Sequence, residues 1–287
     1  MNEMAELVIR RILVALDASA ASLAALEEAA DLAASLEAEL LGLFVEDINL
    51  VRIAALPFAR QISFPAGTKE PLSSGRMDLE LRLRGELAQK ALAAAAERSH
   101  RPWSFRTVRG EVTEEILAAA MQADLLLLGK AGWSPARLMG STALAVAAAA
   151  PGALLLIQPG IAAREPVMTI YDGSEDALQA LRIAIRLANM RQARLVVFVL
   201  ADAPDVGAER EAEVRRLING RSKHVRFRQL TKPDAHQFAQ VVEAEGKGLL
   251  VLPRSSRLAQ GPAFRTLLEE TSNPVLLTRQ SHAATHS

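Results

Sequence analysis

Apolar residues along this chain fall into two kinds of pattern: short unbroken runs, and stretches in which they recur three or four residues apart. The run ILVALDAS (Ile12 to Ser19) is echoed by VMTIYDGS (Val167 to Ser174), and both end in Asp-x-Ser. After the first come Leu23, Leu26, Ala30 and Leu32 or Ala33, and after the second Leu178, Leu181, Ile185 and Leu187 or Ala188, the spacing of one helix face. Ser19 and Ser174 stand where helix N-caps belong. The echo continues downstream. ELLGLFV (39–45) answers RLVVFVL (194–200), SFRTVRG (104–110) answers VRFRQLT (225–231), DLLLLG (124–129) answers GLLVLP (248–253), and PGALLLI (151–157) answers NPVLLT (273–278). Helical patterns such as EEILAAAMQA (114–123) and AHQFAQVVEAE (235–245) lie between them. Five strands alternating with helices in each half define an α/β fold with a mostly parallel sheet and helices on both faces.

The repeats divide the chain into residues 1–160 and 165–280, joined through PGIAAREP (159–166), with a polar tail at 281–287. The first half carries an excursion from Asn49 to Arg76, rich in Pro, Gly, Phe and Arg, without counterpart in the second. Loops of that length serve as lids or contact arms. The chain has 287 residues, half of them hydrophobic, enough for two domains with cores of their own. Thirty-three basic residues balance 33 acidic ones, so no bulk field recruits nucleic acid. The basic run RRLINGRSKHVRFR (215–228) reads as a solvated face. Cysteine is absent, which removes disulfides, thiolate nucleophiles and iron–sulfur clusters, and the five histidines lack metal-ligand spacing. The longest apolar run, 143–157, is broken by Pro151 and Gly152 and is too short for a bilayer, so a cytoplasmic location is expected.

In a doubly wound sheet, ligands settle where the strand order reverses, between the ends of the first and fourth strands. In the first half those ends carry Asp17 and Gly129-Lys130-Ala131-Gly132, followed by Gly140-Ser141-Thr142 at a helix start. Glycines admit an anion to backbone amides, and a helix N-terminus adds unpaired N–H groups. A carboxylate opposite can accept ribose hydroxyls or an adenine amine. The bland readings are that Asp17 and Asp172 cap the helices that follow and that the glycines serve a turn. In the second half the glycine motif is replaced by Pro253-Arg254-Ser255-Ser256, with Ala263-Phe264-Arg265 near the expected Gly-Ser, so that site reads as degenerate. Trp103 and Phe105 are expected to pack.

On the two ILVALDAS-type starts, the fourth-strand Gly-x-x-Gly and the following Gly-Ser-Thr, the chain resembles tandem members of the universal stress protein family over nearly its whole length. The resemblance implies two Rossmann-like, flavodoxin-like domains of strand order 3-2-1-4-5, with an adenine nucleotide (ATP, ADP or AMP) in the first and no metal required. By the same resemblance Asp17 and Val45 hold the adenosine end, and Gly129, Gly132, Gly140, Ser141 and Thr142 hold phosphates; read from the residues themselves, Lys130 or Arg137 supplies charge for an anion at this loop. Seven residues, 133–139, separate the second and third glycines, two fewer than in the family's nucleotide binders. The family order also puts Ala153 to Ile157 and Val275 to Thr278 at sheet edges, and these are expected to pair within the chain, with a further homo-oligomer open. Three functions follow: a regulatory nucleotide-binding module, a nucleotide-free interaction protein that meets a protein partner through the 49–76 arm, or a slow ATPase. The expected nature is a binding protein rather than an enzyme.

Overall fold

The computed structural model describes residues 9–56, 58, 60–62, 69–71, 73–130, 140–160, 165–219 and 224–279. They form two compact units, Met1–Leu128 and Gly129–Ser287.

The first unit runs β1 (Arg11–Ala15), α1 (Ala20–Leu36), β2 (Glu39–Asp47), α2 (Ile48–Ala54), β3 (Arg60–Ile62), β4 (Lys69–Pro71), α3 (Ser74–Ser99), β5 (Trp103–Gly110), α4 (Val112–Ala120) and β6 (Leu125–Gly129). Its strands lie in the order β5-β2-β1-β6, all parallel. α1 and α3 pack on each other and on the sheet, and α4 packs on β1, β2 and β5. Right-handed crossovers running outward and then back place α4 on the opposite face. Burial on both faces explains why Ile12, Val14 and Leu127 are fully enclosed. Among the described residues of the excursion after Asn49, Asp47 caps α2, accepting from the Asn49 amide at 2.9 Å, and β3 and β4 form an antiparallel ribbon. Edge strand β5 has half-open faces, so Trp103 remains 38 % exposed rather than packed, while Phe105 is half-buried against Gly42.

The second unit contains α5 (Ser141–Ala149), β7 (Ala153–Ile157), β8 (Val167–Tyr171), α6 (Glu175–Met190), β9 (Leu195–Ala201), α7 (Pro204–Ile218), β10 (Val225–Thr231), α8 (Ala235–Ala244), β11 (Leu249–Pro253), a 3₁₀ turn at Arg257–Ala259, α9 (Gly261–Glu270) and β12 (Val275–Thr278). Five strands run parallel in the order β10-β9-β8-β11-β12, the 3-2-1-4-5 winding. β7 adds to the far edge antiparallel, matching Val275 with Leu156 and Leu277 with Leu154, so both strands have paired edges there and are buried throughout. With this pairing β7 belongs to the second unit, which begins at Gly129.

The two Asp-x-Ser turns are built alike. Asp17 Oδ1 accepts from the Ser19 amide at 2.9 Å and Asp172 Oδ1 from the Ser174 amide at 3.0 Å. Each serine then caps its helix through the amide three residues on, Ser22 or Ala177. The middle residue takes positive φ in both: Gly173 at +83°, where glycine is at ease, and Ala18 at +61°, where a Cβ is strained.

Candidate functional site: a basic crevice at the strand ends of the second unit

The second unit winds outward in both directions from β8, so its topological switch lies between the carboxyl ends of β8 and β11. A cavity of about 410 Å³ opens there. β8 delivers Asp172, β9 delivers Leu200, Ala201 and Asp202, β10 delivers Lys232, and the turn after β11 delivers Ser255, Ser256 and Arg257, with Val206 and Arg210 from α7. Parallel register brings the strand-borne residues together because each stands at, or just past, the same end of its strand, and α7 covers them from the side.

Three cations and two carboxylates line the cavity. Lys232 Nζ lies 3.6 Å from Asp202, an exposed pair of small energetic weight. Asp172 is occupied by its own turn, accepting from both the amide and the hydroxyl of Ser174. Arg210 donates to the Leu200 carbonyl and Arg257 to the Pro233 carbonyl at 3.2 Å. Neither guanidinium has a carboxylate partner among the described residues. A guanidinium held by one carbonyl keeps N–H donors for a carboxylate or phosphate. Ser256 is buried and accepts from the Leu258 amide, which fixes the turn that presents Arg257. At the end of β8 burial pushes the Tyr171 hydroxyl well above its ordinary range, helped by its bond to Glu213, so it stays protonated.

The sequence reading expected bulky side chains to close this second crevice. Arg254 turns away, donating to the Ala147 and Gly152 carbonyls at the end of α5, and Arg265 pairs with Glu269 on its own helix. The space these side chains were expected to fill stays open.

The residues expected at the first half's site are distributed as follows. Asp17 follows β1, half-buried and engaged with Ser19 and Ser22; Val45 lies in β2, half-buried. Gly129 ends β6, and Gly140 is the N-cap of α5, which Ser141 and Thr142 open. Gly132 and Arg137 lie outside the described residues. Lys130, expected to supply charge for a phosphate, is engaged inside the protein. It is fully buried, and its ammonium donates to the carbonyls of Thr271 at 3.0 Å and Asn273 at 2.7 Å. Burial lowers its pKa to about 7, with Glu243 acting in the opposite sense and Lys247 in the same sense. The α5 N-terminus has no side-chain cap, and the Gly140 amide closes onto the Lys130 carbonyl at 2.8 Å.

Sequence reasoning missed Asp202, Arg210 and Lys232. Asp202 and Lys232 directly follow strands β9 and β10, so the rule that singled out Asp17 would have found them. Arg210 comes from the next helix and needed the fold. Within the basic run at 215–228, Arg226 and Arg228 reach the fully buried carboxylate of Glu245 at 3.1 and 2.8 Å, and Arg215 stacks 4.4 Å above the Phe227 ring. Among the described residues no group of acidic and histidine side chains is arranged to hold a metal, and no helix is long and apolar enough to cross a membrane.

The profile of the universal stress protein family matches residues 9–158, more than half of the chain, and the chain belongs to that family. A universal stress protein from Archaeoglobus fulgidus DSM 4304 is similar over 94 % of this chain and 98 % of its own, with a TM-score of 0.71 at 15 % identity. A functionally unknown protein from Pseudomonas aeruginosa PAO1 is similar over 95 % of this chain and 93 % of its own, with a TM-score of 0.60 at 13 % identity. At such identities the likeness speaks for the fold, here along the full two-repeat length. Among curated proteins no relative matches the chain.

Proposed function

We propose that this protein is a regulatory binding module of the universal stress type, whose second unit receives a small anionic ligand in the crevice at the ends of β8, β9, β10 and β11. The observation that carries this reading is the pair Arg210 and Arg257, both lining the cavity and both without a carboxylate partner among the described residues. A phosphate or carboxylate placed between them would complete their hydrogen bonding, with the Ser255 hydroxyl alongside. The cavity volume suits a ligand of metabolite size. Ligand binding here changes the surface formed by the turn at 255–257, and that change is the signal.

A second reading has its own support. The uncapped start of α5 at Gly140, Ser141 and Thr142 suits a phosphate, in keeping with an adenine nucleotide. Asp at the first helical position would favour the helix dipole while repelling such an anion, so Ser141→Asp separates folding from binding.

Calorimetry with inorganic phosphate, ATP, ADP and AMP tests both readings. Arg257→Ala is expected to weaken crevice binding about tenfold or more, and Ser141→Asp is expected to abolish a nucleotide bound at α5. An absence of heat with every anion would remove both. Binding lost only in Ser141→Asp would remove the crevice reading.

A further inference from the structure

α3 faces its own core with Leu81, Gly85, Ala88, Leu92 and Ala95, one stripe with alternating steps of four and three, and with the neighbouring Ala96. Leu79, Leu83 and Leu87 belong to a different ridge. At about 100° per residue Leu79 and Leu83 point roughly 160° away from Leu81, and the three are 58 %, 50 % and 59 % exposed. Three large apolar side chains, each at least half exposed over two turns, form a patch of the kind that marks an interaction surface. α2, packed against α3, adds Ile53 at 50 % exposure.

The ridge beside the leucines reads Asp78, Arg82, Glu86, Lys90, with signs alternating every four residues. That spacing allows ion pairs within a helix, and Glu80 with Arg84 on α3 forms one. Arg82, Glu86 and Lys90 form none among the described residues, and Asp78 instead takes Arg109 at 2.9 Å. Reversed and laid against itself, the ridge meets opposite charge at every position: Asp78 faces Lys90 and Arg82 faces Glu86. Laid parallel, it would meet like charge throughout.

We propose that α3 is a self-association surface on which a second copy of this chain docks antiparallel about a two-fold axis that passes between Leu83 and Arg84. Leu83 then meets its counterpart, Leu79 meets the counterpart of Leu87, and Arg82 meets the counterpart of Glu86. A two-fold contact buries the same patch on both copies, so one ridge closes the assembly without leaving an open end. The leucines supply the affinity. The rim charges add little affinity but fix the direction in which the helices run.

Sedimentation equilibrium of the full chain over a concentration series tests this. The wild type is expected to dimerise. Leu83→Glu places two carboxylates beside the axis and is expected to raise the dissociation constant about a hundredfold or more, with unchanged circular dichroism because the position is half exposed. Arg82→Glu is expected to weaken the dimer several-fold, and adding Glu86→Arg to it is expected to restore wild-type association, since the swapped pair is again complementary. A wild-type chain that stays monomeric across the series overturns the proposal. So does a dimer indifferent to Leu83→Glu, or a double variant no tighter than Arg82→Glu alone.

Discussion

Lys130 directly follows β6, with its side chain fully enclosed and its ammonium bound to the carbonyls of Thr271 and Asn273. Burial lowers its pKa from 10.5 to about 7. The unfolded chain therefore holds this proton throughout that interval while the folded chain releases it, and stability climbs as pH rises through it. Below about pH 7 the folded state carries the full cost of a buried charge, and above about pH 10 that cost is gone. At about 1.4 kcal/mol per pH unit, the interval is worth up to about 5 kcal/mol. Lys130→Met keeps the length of the side chain and removes both the titration and the two hydrogen bonds. Without a donor the two buried carbonyls cost about 1 to 3 kcal/mol. The two effects oppose each other, so the stability curves of wild type and variant should cross. The variant is expected to be more stable near about pH 6, where it carries no buried charge, and less stable near about pH 10.5, where little titration cost remains and the neutral amine of the wild type still donates. Urea unfolding followed by circular dichroism, compared by transition midpoint at the two pH values, reads this directly. A midpoint difference of one sign and equal size at both would refute the reasoning, because it would mean that the two carbonyls and Glu243 hold the ammonium charged at its ordinary pKa.

Three further outcomes follow from named contacts. Burial works against ionised Glu243, but bonds from Lys247, the Ser272 amide and the Thr271 and Ser272 hydroxyls outweigh it and hold its pKa at about 2. Its stabilisation is present above about pH 4.5 and lost as pH falls toward 2, so Glu243→Gln should remove about 1 to 2 kcal/mol of acid-sensitive stability, the share left after solvent screening, seen as a flatter acid limb in thermal melts. Ala18→Gly should raise stability by about 1 kcal/mol, measured by chemical denaturation, because it relieves the positive φ that Gly173 already accommodates in the sister turn; a loss of stability would show that the Ala18 methyl makes a contact worth more than the strain. Gly248→Ala should cost about 2 kcal/mol or more, because its Cβ would run into the backbone of Pro166, which cannot swing aside; a melting temperature within a degree or so of wild type would contradict it.

Much of the fold was legible in residue order. The Asp-x-Ser turns, the serine caps, the apolar strand runs and the winding that repeats between the halves are set by neighbours a few residues apart, and periodicity reports such neighbours faithfully. Other features depend on residues distant in sequence. Lys130 stands between glycines and has the look of a phosphate ligand, yet its ammonium meets carbonyls 141 and 143 residues away. Arg254 reads as a plug for the second crevice, yet it reaches carbonyls 107 and 102 residues back and leaves the space open. Arg226 and Arg228 read as free surface charge until α8 ends beside them with the buried carboxylate of Glu245. In each case the local pattern states which group a residue carries, while its partner is settled by the pairing of strands and the packing of helices. A long flexible cation has many possible partners, and only the assembled unit selects one.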